Sequence, residues 1–515
     1  MSRKPARIAT GARTIQRPDT GRTDKRRLPT LANLCAGIDM IAVQGSLDCG
    51  IADLCLDSRY VSRSALFFAL PGDRMDGSYY IHDAIDRGAV AVITERSGLH
   101  HPRATFIQVA DARAAMAEIA KQFYKFSVTS PALIGIAGTY GKTCVSHLLQ
   151  HLLDHGKEPV GLFSSIHYDL GSRIVPSYRT TPEAIDLYGM LAQMKESGCR
   201  RAVLEISERG IAQRRLTGLP LDVAVFLNHD PDSAVSFEKV SDLFTGRLGK
   251  LPSAVALNLD DRYGEELLAQ IPEEILAVTF GRNRHADVRA TDIIEGDGGA
   301  IVRLVWPEGT ARVRMRQLGC FAIQNLLAAV AAAHAAGVDL NVVLPNVLSF
   351  QGTPGRFEEI GEGGPFRIFV DAAKTPGSIR HALRAAREIC DGRLLTVFGC
   401  AGNTSEAWRA SIVQAVQEES DFSWGTAHNP GNEPLGRIFA EMREGVTDSD
   451  SLVFVDDRRR AIALALDTAG TGDVLVLLGK GNEAFQSLGD VAYPFDDRLV
   501  ARELLALREV ALTTI

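Results

Sequence analysis

The residues best suited to chemistry stand together at Gly138-Thr139-Tyr140-Gly141-Lys142-Thr143. Glycines free the backbone to curl until successive N–H groups face one point, an arrangement that suits phosphate oxygens. At this place a lysine reaches the β- and γ-phosphates, and the following threonine hydroxyl holds Mg²⁺. The spacing is shorter than in the longer phosphate-loop pattern. Gly138 lies three residues before Gly141, and the residue five before it is Ile136. The alternative is a tight turn with an incidental Gly-Lys pair.

The flanks decide between these readings. Ala132 to Ala137 is short and apolar, as a buried parallel strand should be. After the loop, Val145, Leu148, Leu149, Leu152 and Leu153 recur at helical spacing. Strand, glycine turn and helix put the N–H groups and the positive end of a helix dipole at one spot. The expectation is a nucleoside triphosphate, ATP, bound at Gly138, Thr139, Gly141, Lys142 and Thr143. Further on, the apolar run Arg201 to Ile206 is interrupted by Glu205. A carboxylate at the end of a buried strand is costly without a cation, so Glu205 and Thr143 are candidate Mg²⁺ ligands. A structural pairing of Glu205 with an arginine is the other possibility.

Other elements must hold these groups in place. At 515 residues the chain has room for about three domains. Residues 1–27 read as a basic disordered tail, residues 28–125 as a small α/β domain, residues 126–352 as a central phosphate-loop domain and residues 353–515 as a third domain. In the third, apolar runs at Phe366–Val370, Leu394–Phe398, Leu452–Val455 and Val474–Leu478 alternate with helical stretches. That alternation argues a second doubly wound parallel sheet, so the fold class is α/β. Ligands bind at the carboxyl ends of such strands, where Asp371 and Gly479-Lys480-Gly481 stand. The net charge of −7 gives no global basic field for nucleic acid. No apolar run approaches the roughly 20 residues that cross a bilayer. The 8 cysteines form no Cys-x-x-Cys pair, which fits a cytoplasmic chain with free thiols and no metal cage.

Taken in order, the motifs resemble those of the Mur ligases, specifically the MurE type, over nearly the whole chain from Leu28. Asp57-Ser58-Arg59 with Leu66-Phe67-Phe68-Ala69 is similar to the UDP-sugar-binding first domain, and Gly138 to Thr143 to the loop Gly-Thr-Asn-Gly-Lys-Thr, with Tyr140 in place of Asn. Thr180-Thr181-Pro182, Glu205-Ile206-Ser207 and Arg215 look like substrate-binding segments. Asn325, Pro354-Gly355-Arg356 and Asp371 resemble ATP-contacting residues, and Asn429-Pro430 with Gly479-Lys480-Gly481 resembles amino-acid recognition. The resemblance implies a three-domain architecture, a central phosphate-loop parallel sheet with a Rossmann-like C-terminal domain. It implies peptidoglycan biosynthesis: ATP and Mg²⁺ activate the carboxylate of a UDP-N-acetylmuramoyl-peptide as an acyl phosphate, which an amino acid then attacks. Ser58, Thr180, Thr181, Ser207, Arg215, Asn429 and Glu483 would bind these substrates, and the chain is expected to act as a monomer.

The departures from the family pattern gather at the chemistry. Asp232-Ser233 replaces Asp-His, whose histidine is a metal ligand, and an ungapped alignment puts Arg247 at the carbamylated lysine. Ser-Ser-His reads Ser207-Glu208-Arg209, and Asp-Tyr-Ala-His reads Asp371-Ala372-Ala373-Lys374. Asp-Asn-Pro-Arg, which grips diaminopimelate, reads His428-Asn429-Pro430-Gly431. Two readings follow. In one, a diverged ligase uses Lys142, Glu205, Arg247 and Lys374, the two new cations standing where the family uses metal. In the other, the chain is a nucleotide-binding but inactive pseudo-ligase with a regulatory or scaffolding role.

Overall fold

The computed structural model describes residues 6–7, 28–72, 76–127, 130–154, 158–233, 235–296, 299–361 and 364–513. The basic tail therefore lies outside the described residues, apart from Ala6 and Arg7, which pair antiparallel with Ala492 and Val491. The first sheet has five strands. Asp53–Cys55, Ala65–Ala69, Ala89–Thr94 and Thr105–Val109 run parallel, and Met40–Gln44 closes the edge antiparallel to Thr105–Val109.

An eleven-stranded sheet forms the centre. Its strand β1 (Ala132–Ala137) runs into the glycine loop and then helix α1 (Lys142–Leu153). Beside it lie β2 (Val160–Phe163), β3 (Arg201–Glu205) and β4 (Val223–Phe226), in the order β2, β3, β1, β4, all parallel. Apart from Arg201 and Glu205 at the ends of β3, these strands are apolar because both of their faces are covered. Past residue 288 the character changes: Val288–Gly296, Gly299–Trp306 and Gly309–Met315 extend the sheet as an antiparallel meander. In Gly299–Trp306 the buried Ala300, Val302, Leu304 and Trp306 alternate with more exposed residues, which is what a one-sided antiparallel strand needs. Helix α2 (Cys320–Ala335) packs over this sheet with Ala328 to Ala333 fully buried. Small side chains let the helix lie close to the strands.

The third sheet has six strands. Strand β5 (Arg367–Asp371) leads into helix α3 (Pro376–Glu388), and β6 (Val474–Leu478) runs parallel to β5 at the sheet's middle. A capping box between Thr375 and Ser378, with Pro376 in the first turn, fixes where α3 starts. Phe422–Thr426 is a further strand that the apolar pattern had not suggested. Pro182 precedes the helix Ala184–Glu196, whose N-cap is Glu183, and does not begin it. No helix among the described residues is long and apolar enough to cross a membrane.

Candidate active site

The loop after β1 is held open by its glycines and by one amide. Gly138 and Gly141 have φ of +146° and +84°. A Cβ on Gly138 would come within 2.9 Å of the Leu227 Cβ, and one on Gly141 within 2.8 Å of the Asn325 Oδ1. Asn228, just past β4, accepts hydrogen bonds from the N–H groups of Thr139 (3.1 Å) and Tyr140 (2.9 Å) and donates to the Tyr140 carbonyl at 3.2 Å. Its side chain thus ties the loop to a neighbouring strand. Nothing in the residue pattern around Asn228 marks this role.

Lys142 donates to the Gly138 and Thr139 carbonyls at 2.6 and 2.8 Å. Burial pushes its pKa down, partly offset by Glu205 and Glu208. Among the described residues no carboxylate lies in ion-pair range of this ammonium, so its charge is left for an anionic ligand. Thr143 donates to Glu205 Oε1 at 2.8 Å, and the N–H of Ser165, past β2, donates to Glu205 Oε2 at 2.8 Å. Glu205 is 3% exposed. Its partners are a hydroxyl and an N–H with no guanidinium among them, which removes the structural arginine pair as its explanation.

Facing this wall, the third sheet supplies Arg356, Asp371 and Lys374. Arg356 Nη2 donates to Ser165 Oγ at 3.2 Å. Asp371 ends β5 and accepts from the N–H groups of Phe357 (2.8 Å) and Ala373 (2.7 Å). Burial raises its pKa, and Arg356 opposes that rise. Phe357 has φ of +47°, a conformation bulky residues rarely adopt; the Asp371 bond to its N–H holds it there. Lys374 is 62% exposed on its side chain and reaches toward Glu483 at 3.9 Å.

The two walls enclose a cavity of about 820 Å³ lined by the loop from Thr139 to Cys144, by Glu205, Glu208 and Asn325, and by Arg356, Asp371 and Lys374. Its rim joins both halves of the chain. The ring of Tyr140 stacks on His381 of α3 (centroids 4.6 Å apart, 19° between planes), Phe321 also packs on His381, tilted by 50°, and the Tyr140 hydroxyl donates to Asp230. Glu208 accepts from Thr139 (2.9 Å) and Ser233 (2.6 Å).

The remaining candidates fall in satellite positions. Thr181 donates to the Glu205 carbonyl at 3.0 Å and accepts from the Ser207 N–H at 2.8 Å. Arg215 donates to the Thr181 carbonyl at 2.7 Å and lies 3.2 Å from Glu183, so it anchors this segment from within. Thr180 sits beside it, half-buried. Asn429 donates to Glu483 at 2.8 Å, and the buried Lys480 joins both. Ser58 is buried in the first sheet's layer, bonds Asp83 and does not line the cavity. Arg247 needs correction. It lies outside the cavity lining, 66% exposed, paired with Asp242 at 3.4 Å. Turns at Gly246 and Gly249, with φ of +78° and +144°, carry it away from the site. An ungapped spacing cannot register such turns.

Among the described residues no group of three or more His, Cys, Asp or Glu could hold a metal alone. Thr143 and Glu205 are nonetheless oxygen donors in contact, and Mg²⁺ is commonly held by one or two such groups together with phosphate oxygens. The donor set therefore fits one Mg²⁺ bound jointly with a nucleotide.

Family models match three stretches of the chain: "Mur ligase family, catalytic domain" over residues 51–124, "Mur ligase middle domain" over 136–333 and "Mur ligase, glutamate ligase domain" over 355–481. The UDP-N-acetylmuramoyl-L-alanyl-D-glutamate–2,6-diaminopimelate ligase of Caldanaerobacter subterraneus subsp. tengcongensis is 34% identical over 472 residues, covering 91% of this chain and 97% of that protein. A solved structure of a ligase of the same name superposes with a TM-score of 0.65 at 27% identity, covering 94% of this chain and 99% of that one. The MurF ligase of Thermotoga maritima, solved in complex with ADP, shares the fold with a TM-score of 0.58 at 20% identity over 88% of this chain and 96% of its own.

Proposed function

This chain belongs to the Mur ligase family, and from that premise we propose that it is an ATP-dependent ligase of the MurE type. It joins an amino acid to the carboxylate of a UDP-N-acetylmuramoyl-peptide. The observation that carries this reading is the single cavity in which an unpaired Lys142, the Thr143–Glu205 pair and Arg356 converge from two sheets. The named relative's amide-forming reaction supports it.

In the reaction a carboxylate oxygen of the acceptor attacks the γ-phosphorus of ATP, ADP leaves, and an acyl phosphate remains. The amine nitrogen then attacks the acyl carbon, phosphate departs with the bonding pair, and the nitrogen loses its proton. There is little covalent work for the protein in such a transfer, which rests on positioning and charge. Lys142 and the free N–H groups in the first turn of α1 would hold the β- and γ-phosphates. Arg356, brought from the opposite wall, neutralises charge that grows on the transferred group. Asn325 borders Gly141 and orients the nucleotide. Thr143 and Glu205 would hold Mg²⁺, which would supply positive charge beside the phosphates. Lys374 and Glu483, linked across the cavity edge, face the incoming amino acid.

The amino acid is less constrained. The relative is named for 2,6-diaminopimelate, yet Gly431 stands where the family pattern has the arginine that grips the distal carboxylate. A bidentate partner is lost there, so an amino acid without that second carboxylate is proposed. Domain boundaries at residues 125 and 352, a monomeric state and a cytoplasmic site of action complete the proposal; ATP and UDP-linked precursors are cytoplasmic substrates. The inactive alternative loses one of its grounds, because Arg247 brings no reversed charge into the cavity.

The test is phosphate release by the pure protein with ATP, Mg²⁺, UDP-N-acetylmuramoyl-dipeptide and a pool of amino acids. Release that needs all components supports the ligase, and dividing the pool names its amino acid. ATP binding without release under any combination would overturn the ligase reading in favour of the pseudo-ligase.

A further inference from the structure

Ser165 belongs to no motif, yet it touches three of the groups just assigned. Its N–H donates to Glu205 Oε2 at 2.8 Å, its Oγ lies 3.1 Å from Thr143 Oγ1, and Arg356 Nη2 donates to the same Oγ at 3.2 Å. A hydroxyl has one proton and two lone pairs. Thr143 gives its proton to Glu205 Oε1, so in its contact with Ser165 it accepts, and Ser165 donates. The hydrogen bonds therefore run one way: from Arg356 to Ser165, from Ser165 to Thr143, and from Thr143 to Glu205. The Ser165 N–H closes the ring on the other carboxylate oxygen.

We infer that Ser165 is a positioning residue that couples the Thr143–Glu205 cation site to Arg356, the arginine contributed by the opposite wall. For Thr143 and Glu205 to turn their lone pairs toward Mg²⁺, the Thr143 proton has to leave Glu205. The acceptor already within 3.1 Å is Ser165 Oγ. Receiving that proton leaves Ser165 accepting from Thr143 and from Arg356 together, and its own proton turns outward into the cavity. Arg356 donates to Ser165 in both arrangements, so it keeps Ser165 Oγ within reach of Thr143 while the proton order changes, and the cation site and the opposite wall share one hydroxyl. The inference rests on the reading of Thr143 and Glu205 as the Mg²⁺ position and adds a residue that no motif supplies.

The experiment is calorimetric ATP binding to the full-length protein across a Mg²⁺ titration, for wild type, Ser165→Ala, Ser165→Thr, Arg356→Ala and Ser165→Ala/Arg356→Ala. Ser165→Ala should raise the Mg²⁺ concentration for half-maximal binding about tenfold, and Ser165→Thr, which keeps the hydroxyl, should restore it to within about twofold. Arg356→Ala should raise it in the wild-type background and not in the Ser165→Ala background, because partners in one hydrogen-bonded network are non-additive. A purely structural serine would lower stability and leave the Mg²⁺ requirement where it was. Should Ser165→Ala fail to fold, Ser165→Cys, close in size with a weak S–H donor, takes its place in the cycle. Additive effects, or a requirement unmoved by Ser165→Ala, would overturn the inference, as would ATP binding that ignores Mg²⁺. Absent phosphate release with Mg²⁺-dependent ATP binding intact sinks the ligase reading alone and leaves this test standing.

Discussion

On the central wall of the cavity the polar groups are held by other groups of the same wall: the Thr139 and Tyr140 N–H groups by Asn228, Lys142 by the Gly138 and Thr139 carbonyls, Glu205 by Thr143 and Ser165. On the C-terminal wall Asp371 is held as firmly, by two N–H groups, but the two cations have looser ties. Arg356 crosses to Ser165, and Lys374 reaches Glu483 only at 3.9 Å, largely in solvent. The first wall is organised before any ligand arrives, which is where electrostatic stabilisation is strongest. The cations of the second are held by fewer bonds. Divergence from the family pattern touches both walls: the phosphate loop keeps its chemistry apart from Tyr140, while Glu208 and Ser233 depart beside it and Lys374, His428 and Gly431 depart on the other side.

Breaking the organised wall should cost most. Lys142→Ala removes the unpaired ammonium, and phosphate release should fall by about 10²–10³ with ATP affinity much weakened; equal affinity in a binding assay would discard the phosphate-loop reading. Next in size is the response to acid, because each wall has a buried neutral histidine. His147, on the buried face of α1, and His428, near β6, are pushed down to about 3, in both cases chiefly by burial. The unfolded chain binds protons at these sites below about 6.5, the usual histidine value, and the folded chain does not. Stability is therefore full above about pH 6.5 and falls as the pH drops toward 3. Between pH 7.5 and 5 each should contribute a loss of about 2 kcal/mol, read by urea unfolding, and His428→Asn should flatten that slope.

Asn228→Ala leaves the Thr139 and Tyr140 N–H groups without a side-chain partner. Nucleotide affinity should fall by about tenfold, in keeping with about 1–3 kcal/mol for an orphaned buried donor, and titration calorimetry measures it. If affinity holds, the central wall does not depend on this amide. Arg247→Ala sharpens the comparison from the other end. An exposed pair is worth about 0–1 kcal/mol, so turnover should stay within about twofold of wild type. A large loss would return Arg247 to the site.

What could be read in advance divides along physical lines. The phosphate loop was legible because only glycine permits its backbone, and the parallel strands because burial on two faces demands an unbroken apolar run. The antiparallel strands from Val288 to Met315 were not, since one face is wet and their apolar residues are diluted by Arg289, Asp292, Glu295 and Arg303. Phe422–Thr426 was obscured by Ser423, Gly425 and Thr426, all buried although polar or small. Asn228 and Ser165 escaped for another reason. Their work is done by one side-chain bond across the fold, and no local spacing records which strand end will lie beside which loop. The placement of Arg247 failed on the same ground, because a count of residues does not know which way a turn will point.

The stack of Tyr140, His381 and Phe321 draws its rings from both walls, and the cavity beside it is lined from both. A molecule filling that space touches two bodies at once, so its binding free energy is also their adhesion. At a ligand concentration one hundred times its Kd this adds about 2.7 kcal/mol to the folded, closed form. The nucleotide then acts as mortar as well as fuel. How firmly the last third of the chain is seated becomes a property of the nucleotide supply rather than of the chain alone.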